Sequence, residues 1–177
     1  MTNGLDILAQ TIVTGNLVLI QGLGLYALTR FTKDVKSAAQ AGLNTFVGML
    51  VGAVLLWLLD GIVPTNPTFQ IGFYLVVGLV AAVAAAWILR TDSSLEQKAI
   101  DSALIGMLLL MGNDGITGVQ NIWVALGAGL GYALVLVVMA TIRKRLELAP
   151  VPKALRGTPI LLITAGLLGL ALLGFRF

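Results

Sequence analysis

A chain of 177 residues that is 58% hydrophobic and 11% charged, with a mean hydropathy of +0.99, is not an ordinary soluble domain, in which about a quarter of residues are charged. The composition is that of an integral membrane protein. A net charge of +3 does not point to nucleic acid, because the basic residues lie between apolar segments and form no stripe. Cys and His are both absent, which removes disulfides, thiolate metal sites, imidazole ligands and Cys or His catalysis together.

Six segments are long or apolar enough to be read as helical spans, against the roughly 17–25 residues that a crossing needs. Met1 to Asp6 carries no basic run, so the first helix is expected to belong to the mature protein, with no signal peptide. Residues 5–28 form the first expected span and carry Asp6, Gln10, Asn16 and Gln21. A basic loop with Arg30, Lys33 and Lys36 follows. The second span, 38–59, ends at Asp60-Gly61, where Pro64 and Pro67 mark a tight turn. The third, 71–89, has no charge at all.

Ser93 and Glu96 have the spacing of a capping box ahead of the fourth helix. Asp101 falls in that helix's first turn, where a carboxylate suits the positive dipole end. The fourth segment is apolar only over 99–111, about 20 Å as a helix and short of the ~30 Å hydrocarbon core. Residues 122–142 make the fifth span. Arg143, Lys144, Arg145, Lys153 and Arg156 then share one loop with Pro150 and Pro152. Thr158-Pro159 reads as N-cap and first helical position of the last span, which runs to Phe175.

All basic residues except Arg176 fall in the loops after the first, third and fifth expected spans. The positive-inside rule puts those loops in the cytoplasm and both termini outside, as in a multi-pass protein of a bacterial-type inner membrane. Trp57, Trp87 and Trp123 sit near span ends, as in an aromatic belt. An even split of spans makes residues 1–90 and 91–177 inverted half-repeats of a single membrane domain. Gly15-Asn16 and Gly112-Asn113 interrupt the opening helix of each half, and paired interruptions of this kind point to a functional centre. The expected fold is therefore an all-α integral membrane protein of six transmembrane helices, an inverted 3+3 repeat with interrupted first and fourth helices. Small residues at Gly48, Gly52, Gly127, Gly129 and Gly131 allow close helix approach, either inside one bundle or against a partner protein.

The run Asn16 to Leu25, and the C-terminal block with Ile142-Arg-Lys-Arg-Leu146, Val151-Pro152, Arg156-Gly157 and Leu162-Ile-Thr-Ala-Gly166, resemble the RnfA/NqrE membrane subunits of the Rnf and Nqr electron-transport complexes over nearly the whole chain. The resemblance implies pairing with a paralogous subunit of opposite orientation. It also implies an iron–sulfur cluster (2Fe–2S) near the midplane, held by two cysteines from each partner, in a complex that moves Na⁺ or H⁺. At the positions matching those cysteines this chain has Tyr26 and Asp114. A phenol and a carboxylate cannot replace thiolates on a soft iron–sulfur centre, so no cofactor is expected here.

Asp114 is the residue that stands out, because an ionisable group deep in a membrane is by default a functional candidate. Asp114, Asn113, Asn16, Gln21 and Thr117 with freed carbonyls would make an oxygen-rich ion or polar site; alternatively Asp114 is a wet loop carboxylate. Asn16, Gln21 and Thr117 are equally read as interhelical hydrogen-bonding groups. Tyr26 is expected to fill the space of the lost cluster, with its hydroxyl on a neighbouring carbonyl. The Arg143–Arg145 group reads as a topology anchor and lipid-headgroup contact, or as a docking point for a cytoplasmic partner.

The expected function is a redox-silent, cluster-less membrane subunit of a larger electron-transport or ion-translocating complex, at most a non-catalytic one. Its partners would be other membrane subunits and lipids, with no nucleic acid. The alternative is a self-sufficient cation or proton transporter or channel with a midplane site at the broken helices.

Overall fold

A computed structural model of the chain describes residues 4–64, 66–89, 102–116 and 118–174, all of it helices, turns and loops. Among the described residues, seven α-helices follow one another: α1 Gly4–Ile12, α2 Leu25–Phe31, α3 Val35–Leu58, α4 Pro67–Ile88, α5 Ser102–Asn113, α6 Gln120–Leu148 and α7 Thr158–Leu173. Three of them, α3, α4 and α6, are long and apolar enough to cross a membrane; α5 and α7 are shorter apolar helices. The first expected span is split into two short helices, and nine residues of α1 reach only about 14 Å.

The core is built on α3 and α6, which run antiparallel. A Cβ on Gly42 would lie 2.9 Å from Ala133 Cα, and one turn on, Phe46 lies against Gly129. Two small-residue stripes seat the other helices. Gly48 and Gly52 of α3 receive Leu104 and Leu108, so α5 runs parallel to α3. Gly127 and Gly131 of α6 receive Leu8, Thr11 and Ile12, so α1 runs parallel to α6. Ala81 and Ala85 pack antiparallel from α4 onto the same α3 glycines. The small residues thus serve packing inside this chain, as one of the two expected readings has it. Without Cβ atoms at the seats, backbones approach closely enough for dispersion to hold the helices together.

Helix bounds depart from expectation at two places. α6 continues past residue 142 to Leu148 through residues of good helix propensity, Arg143-Lys144-Arg145-Leu146-Glu147-Leu148. The N-cap of α7 is Gly157, at φ 90°, with Thr158 and Pro159 already inside the first turn. Only glycine adopts that backbone without strain, so the chain turns there and not at Thr158. Trp57, Trp87 and Trp123 stand 47%, 85% and 37% exposed at helix ends. Ser93, Glu96, Asp101 and Arg176 lie outside the described residues.

Candidate functional site

The first break is organised by one side chain. Asn16 is 2% exposed. Its Oδ1 accepts the N–H groups of Val18 and Leu19, both at 3.1 Å, while Nδ2 donates to the Ile12 carbonyl at 3.0 Å. Its own carbonyl accepts from Ile20 at 3.0 Å and Gln21 at 3.2 Å. This is the local bonding for which a short amide side chain is suited. It satisfies backbone groups that an apolar interior would otherwise leave orphaned. The hydrogen bonds of the Asn16 side chain thus go to its own segment, while its amide nitrogen lies against Gly131 of α6. Gly22 and Gly24, at φ 69° and 79°, let the chain turn into α2. The Gly24 N–H donates to Ser102 Oγ at 3.2 Å, tying the break to the start of α5.

The second break is a helix C-terminus. Gly115 is left-handed at φ 63°, the Ile116 N–H returns to the Met111 carbonyl at 3.0 Å and the Gly115 N–H to Gly112 at 3.3 Å. That pair of bonds is a Schellman motif. Asp114 is its last half-helical residue. The ring of Tyr74 from α4 lies against Gly112, where any side chain would displace it.

The two breaks meet. A cavity of about 450 Å³ is lined by Gln10 and Thr14 from the α1 side, Gln21 from the first break, Asp114 and Ile116 from the second, and Gln120 from the start of α6. Asp114 is the one ionisable side chain among its described lining residues. Thr11 and Thr14 donate their hydroxyl hydrogens to the carbonyls of Ile7 at 2.7 Å and Gln10 at 3.0 Å. Their oxygen lone pairs remain available. One carboxylate, glutamine amides and hydroxyl oxygens form a donor set for a hard cation or a chain of waters.

Of the expected site residues, Asp114 and Gln21 are brought together at this cavity. Asn16 braces its wall, and Asn113 is exposed at the end of α5 without lining it. Thr117 lies outside the described residues. Gln10, Thr11 and Gln120 join the cavity although they were not expected there; each is a polar residue near a break, which is the signal that locates them. Asn121, next to Gln120 at the same break, is 2% exposed with an Oδ1 that meets no hydrogen-bond partner among the described residues.

Tyr26 is 60% exposed on α2 and does not line the cavity. Ala27 and Leu28 are the buried residues of α2, which turns Tyr26 to the outside of this chain. An outward phenol at Tyr26 and a carboxylate at Asp114 in a cavity wall do not offer the soft donors that an iron–sulfur cluster takes.

Two helix breaks meeting at a polar cavity inside an apolar bundle define a multi-pass helical membrane protein. The profile of the family described as "Rnf-Nqr subunit, membrane protein" matches residues 5–177, and the chain belongs to that family. It is 34% identical over 187 aligned residues to the RnfA-type component of the ion-translocating oxidoreductase complex of Syntrophotalea carbinolica, covering 99% of this chain and 97% of that one. The proteins of the same name from Shigella sonnei and Escherichia coli are each 32% identical, with the same coverage.

Proposed function

We propose that this chain is a cluster-less membrane subunit of an ion-translocating oxidoreductase assembly, holding the place that the RnfA-type component holds in its relatives. The observation that carries the reading is the pairing of full-length family membership with Tyr26 and Asp114 at the two cysteine positions. Electrons pass through partner subunits, one of them a paralogue of opposite orientation. This chain supplies the bundle, lipid contacts and a polar cavity.

The six-span inverted repeat is part of this reading. Its support is the reciprocal seating of the opening helices, with α1 parallel to α6 on Gly127 and Gly131, and α5 parallel to α3 on Gly48 and Gly52. Each half's first helix lies on the other half's second helix, as a pseudo-two-fold axis in the membrane plane requires. The two C-termini, at Ile12 and Asn113, then meet near mid-depth, and the cavity is an ion or water path with Asp114 as its charge. The basic end of the bundle faces the cytoplasm of an inner membrane, with both termini outside.

Affinity purification of the tagged chain from native membranes in mild detergent, followed by identification of co-eluting chains, tests the proposal. Other membrane subunits of a redox complex are expected to elute with it. A stable, solitary chain would overturn it.

A further inference from the structure

A second cavity, of about 310 Å³, lies far along the chain from the breaks, between the end of α6 and the start of α7, and Arg143 and Arg156 both line it. The Arg143 side chain is 17% exposed. One of its terminal nitrogens donates to the Thr29 carbonyl at 3.1 Å and to Thr32 Oγ1 at 3.3 Å, which caps the last turn of α2. Arg156 Nε donates to the Val151 carbonyl at 3.0 Å. Among the described residues, the second terminal nitrogen of Arg143 and both of Arg156 meet no protein acceptor. Glu147 is the only opposing charge among the described lining residues. It is 67% exposed and 3.8 Å from Arg143, a long and wet pairing that neutralises little.

The N-terminus of α7 opens onto the same space through Gly157 and Ile160. No side chain caps it, so its free N–H groups add positive dipole to the guanidinium groups. The rest of the wall is apolar: Leu146, Val151 and Leu161. From Ile160 an apolar stripe continues along one face of α7 at helical spacing through Ile163, Leu167 and Leu170, which are 46%, 62% and 67% exposed. A cationic pocket opening onto an exposed apolar stripe matches a headgroup with a hydrocarbon tail; a free anion has no use for the stripe.

We propose that this cavity is a binding site for an anionic phospholipid. Its phosphate sits between Arg156, Arg143 and the α7 N-terminus, and an acyl chain runs along Ile163, Leu167 and Leu170. Basic pockets beside transmembrane helices hold anionic headgroups in this way. Lipid binding here is independent of whether the chain is redox-silent.

The test uses the full chain in detergent, with fluorescent phosphatidylglycerol and phosphatidylcholine as probes and inorganic phosphate as competitor. The parent is expected to bind phosphatidylglycerol about fivefold or more tighter than phosphatidylcholine. Arg156→Gln is expected to abolish that preference, while Lys153→Gln, the same loss of charge outside the cavity, keeps it. Arg156 is exposed, so its variant is expected to melt with the parent by tryptophan fluorescence. Equal binding of the two lipids, a preference unchanged by Arg156→Gln, an equal loss with Lys153→Gln, or displacement of the lipid by millimolar phosphate would each overturn the proposal.

Discussion

Gln21 and Asp114 line one cavity, although the first belongs to the break before α2 and the second closes α5. An amide oxygen and a carboxylate facing the same space form the polar centre of an otherwise apolar bundle. In the assembled complex, Asp114→Asn is expected to reduce ion translocation about tenfold, corresponding to about 1.4 kcal/mol of lost charge–ion interaction. Gln21→Leu is expected to have a smaller effect in the same direction. Proteoliposome flux measurements read both, and flux unchanged in Asp114→Asn would remove the carboxylate from the path.

Asn16 holds its segment through two accepted and one donated bond from a side chain that water barely reaches. Asn16→Ala leaves the buried Val18 N–H without an acceptor, at a cost of about 1–3 kcal/mol. Asn16→Asp keeps the acceptor and should cost less if the carboxyl is neutral. Thermal unfolding in detergent is expected to rank them parent, Asp, Ala. An alanine variant melting with the parent would show that the break does not rest on Asn16.

The glycines separate into seats and bystanders. A Cβ at Gly42 would meet Ala133 backbone at 2.9 Å, whereas nothing lies within 4 Å of one at Gly72. Gly42→Ala is expected to destabilise by about 1–3 kcal/mol as α3 and α6 are pushed apart. Gly72→Ala, in the exposed part of α4, is expected to stabilise by up to about 1 kcal/mol through helix propensity. The same melting assay distinguishes them, and equal shifts would contradict the packing described.

Arg143 bonds Thr29 and Thr32 from one nitrogen while staying largely covered. Lysine has the charge, but its ammonium ends one bond short of the arginine's terminal nitrogen. Arg143→Lys is therefore expected to cost about 1–2 kcal/mol, from a hydrogen bond to a charged donor. A chemical-denaturation midpoint unchanged by that substitution would count against the link between α6 and α2.

Much of this architecture was legible from the residues. Gly15-Asn16 and Gly112-Asn113 marked both breaks because a glycine of low helix propensity next to an asparagine that can bond its own backbone favours a helix end. The charge-free stretch at 71–89 was an unambiguous span. What the pattern did not show was direction and reach. Whether Asn16 bonds across helices or within its own turn depends on a few ångströms of loop geometry. Tyr26 faces outward because its neighbours Ala27 and Leu28 take the buried side of a helix seven residues long, too short for a readable apolar face. Asn121 follows Gln120 at the same break, but which of the two adjacent amides is buried depends on the face that α6 turns inward.

In the proposed function this polypeptide contributes no ligand to an iron–sulfur cluster. The most direct test is to purify the chain alone, reconstitute it anaerobically with iron and sulfide, remove unbound metal, and assay iron, acid-labile sulfide and the electron paramagnetic resonance spectrum. Iron and sulfide well below one per chain, with no cluster signal, is the result expected from an outward Tyr26 and an Asp114 carboxylate. Stoichiometric iron and sulfide that disappear on Tyr26→Phe or Asp114→Ala would contradict it.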